Sequence, residues 1–282
     1  MIGDASPVLY KAELGEALRR AREQVGLERE DAARALGCSV SKIRTIERGQ
    51  VSIRPAELRD LLDCFRVDPA ERADLEHLAE LARQRKPRTP WGSAVPDRLR
   101  RFFAAEETAA VIQVYQPALF QGLVQTEDYA RAVIGTNTSL VRADVDRLVQ
   151  ARLARQAVLT APRPPKVTMV LDEHVLHALI GGREVMAEQV RHVADLARRE
   201  VVEIRVIPTA AGAHAGFGAP AFLVLTPPGR PSVVYVETLT DGLFVDDPER
   251  IHRYEAVMAE MKATALTAAA SLSLLDTVAA EL

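Results

Sequence analysis

A three-residue stop, Gly37-Cys38-Ser39, separates two short amphipathic segments, and it constrains the fold more than any other feature of this 282-residue sequence. Helices joined by so short a stop cross at a steep angle, the geometry of a helix-turn-helix. Gly37 closes the first segment, 29–36, while Ser39 caps the second and Gly49 follows it. The inward residues of the second segment are Ile43 and Ile46. Ala32 and Ala33 in the first are small enough to let another helix approach closely.

The flanking sequence supplies the rest of a helical domain. Residues 10–25 place Leu14, Leu18, Ala21 and Val25 on one helical face and end at Gly26. Residues 55–65 start with Pro55 and turn Leu58, Leu61, Leu62 and Phe65 inward. A fifth helix runs from 69 to about 85. Basic residues and two prolines between Arg83 and Gly92 then break the pattern, so the reading is a five-helix domain over 1–85 and a linker over 86–96 that carries Trp91, the only tryptophan. The length predicts about two domains at roughly 100–200 residues each, and 97–282 forms the second.

Charge is informative only locally. The chain holds 36 Lys+Arg against 39 Asp+Glu, yet 39–54 carries Lys42, Arg44, Arg48 and Arg54 against the single Glu47. Because charges are screened beyond about 8 Å at physiological salt, this local excess decides what the segment attracts. Cys38 and Cys64 have no framework spacing and predict free thiols in a reducing compartment. Asp4 and Lys11 interrupt any signal-peptide core. The longest run free of Asp, Glu, Lys and Arg, 206–229, contains four prolines and four glycines, which a spanning helix does not tolerate. The expected location is the cytoplasm, with no membrane partner.

The residues Leu36-Gly37-x-Ser39-x-x-x-Ile43-x-x-Ile46-Glu47-Arg48-Gly49 resemble the helix-turn-helix domain of phage-repressor-like regulators of the xenobiotic-response-element type. The resemblance implies that the third helix enters the major groove of double-stranded DNA. Carried over by position, Val40, Ser41 and Thr45 face the bases, Arg29, Lys42, Arg44 and Arg48 lie near phosphates or the groove edge, and Ser39 at the helix start belongs to the same DNA-binding set. Where many relatives have Gln at the start of the second helix, this chain has Arg29, which favours a phosphate contact. Val40, Ser41 and Thr45 offer no bidentate partner to a purine, although Val40 and Thr45 suit a thymine methyl, and Arg44 remains as the candidate for base readout. The resemblance further implies an ion pair between Arg22 and Glu47, with a structural role.

Beyond the linker the periodicity changes. Helices are expected at 97–107, 139–160, 175–179, 183–199, 247–265 and 267–281, and strands at 109–115, 167–171, 202–207, 221–226 and 232–237, the last two forming a hairpin. The fold class is therefore α+β, an all-α five-helix domain followed by an α+β domain with a small, mostly antiparallel sheet. The blocks Tyr115-x-Pro117-x-Leu119-x-Gln121-Gly122-Leu123-x-Gln125-Thr126-Glu127-Asp128-Tyr129-Ala130, Arg152-x-x-Arg155-Gln156, Asp172-Glu173 and Val234-Tyr235-Val236-Glu237-Thr238 are similar to the C-terminal domain of actinobacterial WhiJ-like, Scr1-family antitoxin-like regulators. That resemblance implies a transcription factor paired with a small partner protein encoded nearby. One departure is Ala118 where relatives have Gly, which puts a positive-φ turn there in question.

No catalytic pattern accompanies these blocks. His174 and His177 lack a third ligand at recognisable spacing, and there is no G-x-S-x-G elbow. The glycine-rich stretch 212–218 opens no helix and fits no phosphate fingerprint, so it reads as a loop. Asp241, Asp246 and Asp247 form an acidic turn, of which a helix start at Asp247-Pro248-Glu249 accounts for part. No enzyme activity, cofactor or metal is expected. Two function classes stay open: a homodimeric DNA-binding regulator whose second domain receives a small molecule or a partner protein, and an antitoxin-like module that holds a small protein, with DNA binding secondary.

Overall fold

The computed structural model describes residues 7–83, 97–137, 141–238 and 242–282, which form two compact units. The linker, Trp91 and Asp241 lie outside the described residues. The first unit contains α1 (Pro7–Gln24), α2 (Arg29–Leu36), α3 (Val40–Glu47), α4 (Pro55–Cys64) and α5 (Pro69–Arg83). Arg100–Thr108, most of α6 (Asp97–Thr108), groups with it, although the sequence boundary at 97 assigns that helix to the second domain.

Each boundary has a local cause. Gly37 adopts φ 59° and donates its N–H back to the end of α2, a conformation that an L side chain resists. Ser39 then caps α3, its hydroxyl accepting the Lys42 N–H. Leu14, Leu18, Ile43, Ile46, Leu58, Leu61, Leu62 and Phe65 meet in one buried core, with Ala32 and Ala33 between them. Val25, read as a core residue, is instead exposed because α1 ends one residue before it. Gly15 lets α1 lie directly on the end of α3: a Cβ there would sit 2.5 Å from the Ile46 carbonyl oxygen.

The second unit is built on a six-stranded mixed sheet in the order β3-β2-β1-β4-β5-β6. The strands are β1 (Val111–Gln116), β2 (Lys166–Asp172), β3 (Glu203–Ile207), β4 (Phe222–Thr226), β5 (Val233–Glu237) and β6 (Gly242–Val245). The β1–β2 and β2–β3 pairs are parallel, and the other three pairs are antiparallel. Parallel neighbours need crossovers, which α7 (Glu127–Gly135) and α8 (Arg142–Arg155) supply between β1 and β2, and α9 (Arg183–Arg198) between β2 and β3. The run Val167-Thr168-Met169-Val170-Leu171 is buried at every position, as expected of a parallel strand covered on both faces. From α10 (Pro248–Thr264), Ile251, Met258 and Met261 pack against Tyr115, Val170, Phe222 and Val234, while α11 (Ala268–Glu281) lies along α9 and β3.

Two elements escaped the sequence reading. α7 is capped by Thr126, whose hydroxyl accepts the Tyr129 N–H. β6 was read as part of an acidic turn; its Phe244 pairs with Tyr235, with ring centroids 5.1 Å apart. The helix expected at 139–160 is α8 followed by a 3-10 turn at Gln156–Thr160, and the short one at 175–179 is a 3-10 turn at Glu173–Leu176. Ala118 is not among the described residues with positive φ, so the turn there forms without a glycine.

Candidate nucleic-acid interface

Burial of Ile43, Ile46 and Glu47 fixes which side of α3 faces outward. Ser39, Ser41, Arg44 and Arg48 are exposed, while Val40, Lys42 and Thr45 are half-buried. Val40 leans on the core, and the Thr45 hydroxyl donates to the Ser41 carbonyl at 2.7 Å. Ser39 spends its hydroxyl on the cap, with the Lys42 N–H 3.3 Å away. These side chains therefore form one short outer strip, with the small residues at the amino end and Arg44 and Arg48 toward the carboxyl end.

The cations on and around this strip are not equivalent. Arg22, 3% exposed, donates through Nε to Glu47 Oε1 at 2.6 Å and through Nη1 to the Leu27 carbonyl at 2.7 Å. Arg29, read from the sequence as a phosphate contact, donates to the other oxygen of the same carboxylate at 2.7 Å. Two guanidinium groups thus converge on Glu47, which lies at the negative end of the α3 dipole and needs that compensation. Lys42 is also engaged, its Nζ 2.6 Å from Glu57 Oε1. The hydrogen bond from Lys42 holds the Glu57 carboxyl below its ordinary range despite the opposing effect of burial. Among the described residues, no carboxylate partners Arg44 or Arg48.

Glu57 had no role in the sequence reading. Its position three residues into α4 was the available signal, since a carboxylate there caps the helix; Oε2 accepts the Arg54 N–H at 3.3 Å. Ser39, Ser41, Lys42, Thr45, Arg54 and Glu57 line a groove between the amino ends of α3 and α4.

In the second unit, the sequence blocks come together as support for a buried segment. The chain between β1 and α7 holds only a 3-10 turn, Gly122–Val124, so most of its backbone groups need side-chain partners. Gln189, fully buried on α9, donates to the Val124 carbonyl at 2.6 Å and accepts the Thr126 N–H at 2.8 Å. Gln125 donates to the Phe120 carbonyl at 2.5 Å and accepts from Arg152 at 2.6 Å. Gln156 donates to the carbonyls of Gly122 and Gln125. The Gln121–Thr126 and Arg152–Gln156 blocks are thereby two halves of one hydrogen-bonded device.

A second cluster ties the 212–218 loop to the strand ends. Tyr115 donates its hydroxyl to Asp172 Oδ2 at 3.1 Å, and His214 Nε2 lies 3.3 Å from Oδ1. The Gly216 N–H donates to His214 Nδ1 at 3.2 Å, which leaves the ring proton on Nε2, facing the carboxylate. The nearby Glu173 accepts the Thr209 N–H at 2.6 Å, a bond that lowers its pKa. His174 and His177 are exposed, and among the described residues no three His, Cys, Asp or Glu side chains gather as a metal site. No single described helix is long and apolar enough to cross a membrane.

Two family models match the chain, one in each half, and the second takes in most of α6. The model described as a helix-turn-helix domain matches residues 13–75, and that described as a domain of unknown function (DUF5753) matches residues 99–277. Neither the curated proteins nor the solved structures give a match.

Proposed function

Because the chain belongs to the DUF5753 family, over more than half its length, and carries a helix-turn-helix DNA-binding domain ahead of it, we propose that it is a sequence-specific transcriptional regulator of the xenobiotic-response-element type. The observation that carries this reading is the outer strip of α3. Ser41, Arg44 and Arg48 are exposed on it while Ile43, Ile46 and Glu47 anchor the helix from behind. Small side chains at its amino end allow close approach to base edges, and the arginines supply charge for the groove wall.

The protein acts as a homodimer on the nucleoid, with two copies of α3 in successive major grooves about 34–36 Å apart. Its second unit has no enzymatic role and receives a signal, either a small molecule or a small partner protein encoded nearby, as in WhiJ-like actinobacterial regulators. The test is binding to the DNA upstream of its own gene at physiological salt. Protection of a defined site, with affinity falling steeply as salt rises, supports the reading. A stable complex with a neighbouring small protein and no footprint would reject it in favour of the antitoxin-like module.

A further inference from the structure

We infer that Glu57 is a built-in competitor of the DNA backbone, holding Lys42 with a carboxylate so that a phosphate must displace it before that cation can bind DNA. The inference rests on the DNA-binding reading above and concerns the same face. Lys42 projects from the first turn of α3 beside Ser41, and its Nζ meets Glu57 Oε1 at 2.6 Å. The carboxylate is not a passing partner. Its other oxygen accepts the Arg54 N–H, so the amino end of α4 keeps it at the edge of the groove.

Carboxylate and phosphate oxygens bind an ammonium group through the same charge-assisted hydrogen bond, and the two compete for one lysine. On DNA of arbitrary sequence, binding is almost wholly electrostatic, and no base contact holds a phosphate against Lys42 long enough to displace Glu57. The lysine then stays paired with Glu57 and releases no counterion. Glu57 thereby lowers attachment to arbitrary DNA and leaves the exposed Arg44, Arg48 and Arg54 as the cations that remain available around this face.

The test uses the full-length protein with Glu57→Gln, Lys42→Met and the double substitution. Glutamine at position 57 keeps an oxygen for the Arg54 N–H, so the cap survives, and an unchanged melting temperature checks it. Binding to a labelled duplex of random sequence is followed by fluorescence anisotropy between about 50 and 200 mM salt. The expected result for Glu57→Gln is affinity about five- to tenfold higher near 0.1 M salt and a log–log slope steeper by about 0.9, the value for one added phosphate contact. In the Lys42→Met background that gain in slope disappears. An unchanged slope for Glu57→Gln, or an equal gain without Lys42, overturns the inference. Absence of binding by wild type and Glu57→Gln alike is a separate result, and it removes the DNA-binding reading together with this one.

Discussion

The Nε of Arg22 donates to Oε1 of Glu47 at 2.6 Å with both side chains almost fully buried, so one carboxylate ties α1 to the end of α3. Removing the guanidinium leaves Glu47 at a helix carboxyl terminus with only the half-exposed Arg29 to balance it. Arg22→Ala should therefore cost the first unit about 3–5 kcal/mol, the range for breaking a buried pair from one side. Chemical denaturation followed by circular dichroism measures this, and a midpoint equal to wild type would count against the role given to the pair.

Arg29 and Arg48 separate internal from external charge. Arg29 donates to Glu47, whereas Arg48 stands exposed at the end of α3. Arg48→Ala should lower the salt slope of DNA binding by about one unit and change stability by no more than about 0.5 kcal/mol. Arg29→Ala should reduce the slope clearly less, because that cation already has a carboxylate. Salt titrations of both variants decide the matter, and equal loss of slope would put Arg29 on the backbone after all.

The difference between these two arginines marks where sequence reading reaches its limit. Gly37, Ser39 and the apolar spacing at 43 and 46 act within a few residues, so the turn and the inward face of α3 are legible from the chain alone. The partner of a long cation is decided by packing between helices, and nothing in the spacing of Lys42 and Glu57 announces that they meet. The same division holds in the second unit. β2 was legible as an apolar run, but its parallel pairing with β1 and β3 depends on crossovers longer than any local pattern. α7 was hidden among block residues, and β6, only four residues long, among acidic ones.

Gln189 provides a test of the buried segment between β1 and α7. Replacing it with Leu keeps an apolar body of similar size but leaves the Val124 carbonyl and the Thr126 N–H without their partner. Each such buried group costs about 1–3 kcal/mol when unmet. Gln189→Leu should thus destabilise the second unit by roughly 2–6 kcal/mol while the first unit keeps its own transition. Hydrogen exchange would show the loss as faster exchange of the Thr126 amide, and protection as strong as in wild type would refute the account.

Two tyrosines set the behaviour at high pH. Burial pushes the Tyr129 hydroxyl up to about 12, and burial together with the negative charge of Asp172 pushes Tyr115 further in the same direction. In the unfolded chain both have a pKa near 10. The folded state thus holds these protons more tightly, so the stability they contribute is complete below about pH 10 and is lost as pH rises above it. Phenolate absorbance should show these two groups ionising only as the second unit unfolds. Tyr129→Phe, which removes one such proton but also the acceptor of the Phe120 N–H, should flatten the alkaline fall in stability while lowering the plateau below it by about 1–3 kcal/mol. A wild-type protein that ionises every tyrosine near pH 10 while keeping its far-ultraviolet circular dichroism would show that neither hydroxyl is held in this way.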